Sequence, residues 1–122
     1  MIRSLLAATT LVALSGCSMT MPSFYDDNES MLAVDVRMAV AQMTCEGDIK
    51  PQVVTVDNSI QRLSLYSESK GSDDVGEMVT LMKQTTEGML KKETISEAYC
   101  GIKKKVLVKQ SDDIADAVMW RY

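Results

Sequence analysis

The chain has 122 residues, with 46% apolar and 25% charged side chains, which is the composition of one globular domain and not of a disordered segment. Its formal net charge of -4 argues against nucleic acid as a main partner, because phosphate binding needs a basic surface. It contains no histidine, so Ser-His-Asp and Cys-His catalysis and His-ligated zinc are excluded from the outset.

In chain order, the first element is a leader. Arg3 supplies a positive start, Leu5 to Leu14 is an apolar stretch broken only by Thr9 and Thr10, and Ser15-Gly16 are small. These are the three parts of a secretory signal peptide, and the stretch is shorter than the roughly 18 apolar residues a membrane span needs. The last four residues, Leu14-Ser15-Gly16-Cys17, resemble the lipobox of bacterial lipoproteins. That resemblance covers the leader alone. It implies cleavage before Cys17, a diacylglycerol thioether on its sulfur, and acylation of the new amino group. Two or three acyl chains on one residue hold a protein to a bilayer where a single chain binds only marginally. Ser18 follows the cysteine, where aspartate in such lipoproteins favours the inner membrane. The expected address is therefore the periplasmic face of the outer membrane. Domain boundaries follow: a signal peptide over 1–16, an acylated N-terminus and tether over 17–29, and one periplasmic domain over 30–122. Phe24 and Tyr25 in the tether are expected to dock on that domain.

From Asn28 the pattern becomes helical. Met31, Val34, Met38, Ala41 and Cys45 recur at three- and four-residue steps and predict the buried face of a first helix, capped by Asp27 or Asn28 and ended by Glu46-Gly47-Asp48. Val53, Val56, Ile60 and Leu63 keep helical spacing from Pro51 to about residue 69, while "VVTV" and "DNS" leave a strand pair near 52–67 open. Gly71 is a stop. Ser72 or Asp73 caps a third helix lined by Val75, Met78, Met82, Thr86 and Met89. Thr94 to Glu97 fits a capping box before a fourth, with Ile95, Tyr99, Ile102 and Val106 on one stripe. Ser111-Asp112-Asp113 resembles a further N-cap before Ile114, Ala117 and Val118. The expected fold is all-α, a small bundle of four to five short helices.

With Cys17 lipidated, Cys45 and Cys100 remain, and an oxidising compartment favours one intramolecular disulfide between them. Lys103, Lys104 and Lys105 concentrate positive charge, and Trp120 and Tyr122 close the chain. These are candidate partner contacts, although three consecutive lysines cannot share one helical face. Carboxylate pairs at 26/27, 73/74 and 112/113 each fall beside an expected helix start, where capping accounts for them. With few aromatics and no phosphate-binding glycine loop, no enzyme, metal, cofactor or small-molecule substrate is expected. The expected function is a non-catalytic envelope module that meets the membrane through its anchor and an envelope protein through its domain. Two alternatives share the anchor and small size: an outer-membrane spanin-like lysis lipoprotein of phages, and a surface or superinfection exclusion lipoprotein.

Overall fold

The computed structural model describes residues 24–120. Leu14, Ser15, Gly16, Cys17 and Tyr122 lie outside the described residues. Four helices follow one another: α1 Asp27–Ala41, α2 Ile49–Lys70, α3 Asp73–Leu90 and α4 Glu97–Met119. Each packs on its neighbour in sequence, and α4 packs on α1 to close the ring. Short connections between such neighbours make an up-down-up-down bundle. No helix among the described residues is long and apolar enough to cross a membrane.

The core follows one spacing. Buried positions run 33, 36, 40 and 43 from α1 onward, 49, 53, 56, 60 and 63 on α2, 75, 79, 82, 86 and 89 on α3, and 100, 107, 111, 114 and 118 on α4. Steps of three and four, repeated in every helix, form the seam that lets bundle helices pack with side chains in each other's gaps. Val53, Val56, Leu63, Met82, Met89 and Leu107 are fully enclosed. The polar members of these lines are satisfied: the Thr86 hydroxyl donates to Asp57 Oδ1 at 2.7 Å and Ser111 donates to the Val108 carbonyl at 2.9 Å.

Four sequence expectations are corrected. There is no strand pair over 52–67, because the whole stretch lies inside α2, where Val53 and Val56 sit at the helical spacing of the core and outweigh strand propensity. Among the described residues no further helix starts at Ser111, because Ser111-Asp112-Asp113 lies within α4. The run looks like a cap, but Asp112 reaches Arg37 of α1 at 3.1 Å and Asp113 reaches Lys109 at 3.4 Å. The first helix ends at Ala41 instead of Glu46, so Cys45 belongs to the following turn with φ of 56°, and Gly47 follows at φ 66°. Caps also move: Asp26 caps α1 through the Asn28 and Glu29 amides, and Ser96, not Thr94, caps α4 through the Tyr99 amide. Gly71 stops α2 as expected, in the left-handed region at φ 83°.

Cys45 and Cys100 form a disulfide, with Cα atoms 5.6 Å apart. It ties the α1–α2 turn to the first turn of α4. The same turn is held by Gln52, whose Oε1 accepts from the Thr44 amide at 2.8 Å and whose Nε2 donates to the Glu46 carbonyl at 3.1 Å, and by Lys104, which donates to the Met43 carbonyl. The bond closes a sequence separation of 55 residues, which restricts the unfolded chain by about 4 kcal/mol on the chain-entropy account. Reduction, or the paired Cys45→Ser and Cys100→Ser change, is expected to lower the thermal midpoint by on the order of 15 °C or more, read by circular dichroism. An unchanged midpoint would mean that the turn is already fixed by Gln52 and Lys104.

Candidate functional sites: a latched N-terminus and an apolar outer stripe

The first described residues do not hang free. Asp26 caps α1 with Oδ1 and accepts from the Tyr66 hydroxyl with Oδ2 at 2.6 Å. One turn on, the fully buried side chain of Glu29 meets Lys70 Nζ at 3.1 Å, with Lys70 itself 8% exposed. Ser67 donates to Glu29 Oε2 at 3.2 Å. Lys70 also donates to the Phe24 carbonyl and lies 4.8 Å from the centre of the Phe24 ring. The last turn of α2 therefore grips residues 24–29 at five points, although Phe24 and Tyr25 keep 63% and 41% of their surface exposed. Every buried side-chain nitrogen and oxygen among the described residues has a partner.

The hydroxyl of Tyr66 holds the Asp26 carboxyl below its ordinary value; the Glu29 and Asn28 amides and the Lys70 charge add to this, and desolvation opposes it. The same bond pushes the Tyr66 hydroxyl up, since the carboxylate accepts from its neutral form. A lowered carboxylate stabilises the fold above the ordinary value of about 4, and that contribution disappears as pH falls through the lower folded value. A raised phenol stabilises below about 10, and its share disappears as pH rises through the folded value.

The second feature is a corrected expectation. The stripe read as the core face of α1 points outward: Met31 is 66%, Met38 53% and Val34 37% exposed, and Ala41 is also exposed. The buried face is Glu29, Ala33, Val36 and Val40. Helix α1 is apolar on both sides, so periodicity alone cannot choose between them, and a glutamate on one side points to the wrong answer. Burial of Glu29 against Lys70 places that side inward. On α4 the expected stripe divides: Ile95 is buried and Tyr99 packs against the core, but Ile102 at 65% and Val106 at 40% face out while Cys100 and Leu107 face in. On α3, Val75, Met82, Thr86 and Met89 are buried and Met78 is half-buried, as the sequence predicts.

The candidate partner contacts do not converge. Lys104 turns in to the Met43 carbonyl, Lys103 lies 5.7 Å from the Tyr99 ring centre with Lys92 at 3.9 Å on the same ring, and Lys105 is exposed. Trp120, 80% exposed, caps the far end of α4, about 22 Å away at 1.5 Å per residue. Of the three carboxylate pairs, 26/27 and 73/74 flank helix starts, but 112/113 does not. Glu68, Asp73 and Glu77 line a shallow groove between α2 and α3 walled by Ser64, Gly76 and Thr80.

No known protein family, curated protein or solved structure matches this chain.

Removing one partner of a buried ion pair leaves the other uncompensated. Lys70→Met is therefore expected to destabilise by roughly 3–5 kcal/mol in urea unfolding, and the double change Glu29→Met with Lys70→Met to recover most of it. Equal loss in both variants would show that packing, and not charge, holds the latch. Tyr66→Phe is expected to move the Asp26 titration midpoint upward, followed by carboxyl carbon NMR; an unmoved midpoint would remove the phenol as the cause.

Proposed function

We propose that this chain is a lipid-anchored, non-catalytic lipoprotein of the bacterial envelope, acting on the periplasmic face of the outer membrane as a protein-interaction module. The leader and Leu14-Ser15-Gly16-Cys17 support the anchor. The observation that carries the module reading is the latch. A protein that presents a surface from a membrane needs its tether tied to a rigid body, and residues 24–29 are tied to α2 by a buried ion pair and its hydrogen bonds.

The latch also limits reach. Phe24 lies only seven positions after Cys17, at most about 25 Å of extended chain. The longest helix, α4 with 23 residues, adds about 35 Å. A partner therefore has to come within about 60 Å of the anchoring bilayer. This favours a partner at or near the same membrane over the spanin-like role of joining two membranes, which a partner would have to carry out almost alone. The exclusion role remains compatible with such a reach, and protection of expressing cells from one phage or plasmid is its test.

The anchor is tested by palmitate labelling and by processing that stops with globomycin. Both are expected for the wild type and neither for Cys17→Ser; failure of both in the wild type overturns the reading. Crosslinking and purification from intact envelopes is expected to recover a protein with the wild type and lose it with Cys17→Ser.

A further inference from the structure

We propose that the outward stripe of α1 is a self-association face, on which a second copy of the chain seats its own α1 in parallel. Met31, Val34, Met38 and Ala41 follow one another at steps of three, four and three, the spacing of a two-stranded coiled-coil seam. They are exposed along the length of the helix, and nothing among the described residues covers them. Scattered exposed apolar residues are ordinary; four in register along one line are a contiguous patch.

Charge on the two flanks of that line selects both the occupant and its direction. Asp35 stands on the side facing α2, where it lines a groove with Met38 and Arg62. Arg37 stands on the opposite side, facing α4, where it pairs with Asp112. A parallel copy turns about an axis along the helices, so the Asp35 flank of each chain meets the Arg37 flank of the other, at two symmetry-related places. An antiparallel copy sets Asp35 beside Asp35 and Arg37 beside Arg37. Opposite charges across a seam and like charges in the alternative are how coiled-coil pairs set orientation. The surface is thus self-complementary in one arrangement, as a two-fold dimer requires.

Four positions over two heptads make a small contact. Two chains anchored in one leaflet, as the lipoprotein reading has them, raise each other's effective concentration and bring both N-termini to the same side, as the parallel seam does.

The test is disulfide trapping with the full chain in intact cells. In a parallel seam Val34 faces Val34, so Val34→Cys is expected to yield a covalent dimer on mild oxidation, with the 34–34 link mapped by mass spectrometry. Leu81→Cys, at a site on α3 that is more exposed than Val34, 57% against 37%, is expected to yield none. Adding Met38→Glu to Val34→Cys is expected to cut the product at least tenfold while the Cys45–Cys100 bond and the thermal midpoint persist. The proposal is overturned by no product, by equal product at Leu81→Cys, by product only when Val34→Cys and Met38→Cys copies are mixed, or by a link to a different protein. Palmitate labelling of the same cells separates the two claims. A labelled chain with no crosslink leaves the anchor and removes the dimer; a crosslinked chain without label does the reverse.

Discussion

The buried ion pair between Glu29 and Lys70 is the constraint on which the arrangement of α1 depends. A carboxylate with no exposed surface is tolerated only beside a cation and hydrogen-bond donors, and Lys70 and Ser67 are the last-turn residues of α2 that supply them. Once Glu29 is inside, the helical step places Ala33, Val36 and Val40 inside with it. Met31, Val34, Met38 and Ala41 are then turned to solvent. A glutamate that reads as a surface residue thus decides which of two apolar faces becomes core and which becomes surface.

The two ends of the bundle are secured by different chemistry. At the end where the chain enters, the latch uses charge and hydrogen bonds: Asp26 with Tyr66, Glu29 with Lys70 and Ser67. At the opposite end, a disulfide, the Gln52 side chain and Lys104 hold the α1–α2 turn. A domain of this size buries only about two-thirds of its unfolded surface, so such fastenings matter more than they would in a larger protein. Between the ends, Arg37–Asp112 links α1 to α4, Lys83–Asp57 links α3 to α2, and Thr85 bonds Gln110 across α3 and α4. The described helices are thus tied to one another along their length as well as at both ends.

Where the sequence was legible, one face of a helix was apolar and the other was not. On α2 and α3 the buried lines stand where the spacing puts them. On α1 and α4 apolar residues occur on more than one side: the richer stripe of α1 faces out, and that of α4 meets the core only through Ile95 and Tyr99. The polar runs misled in a related way: Ser111-Asp112-Asp113 has cap-forming side chains, but a hydroxyl that bonds back to Val108 and a carboxylate that reaches α1 let the helix run on. The latch left little trace in the sequence, because its halves lie about forty residues apart.

The sequence by itself determined the helical class, the stop at Gly71, the core of α2 and α3, the pairing of the two cysteines, and the expectation of a lipid anchor at Cys17. These rest on local spacing, on backbone preference, on parity, or on a short leader motif, all of which are written in neighbouring residues. Only the tertiary structure decided the rotation of α1 and α4, the place of Glu29, the continuity of α4 and the number of helices. These depend on partners distant in sequence, Lys70 for Glu29 and Arg37 for Asp112, and burial of the Glu29 carboxylate becomes favourable only when Lys70 is in place.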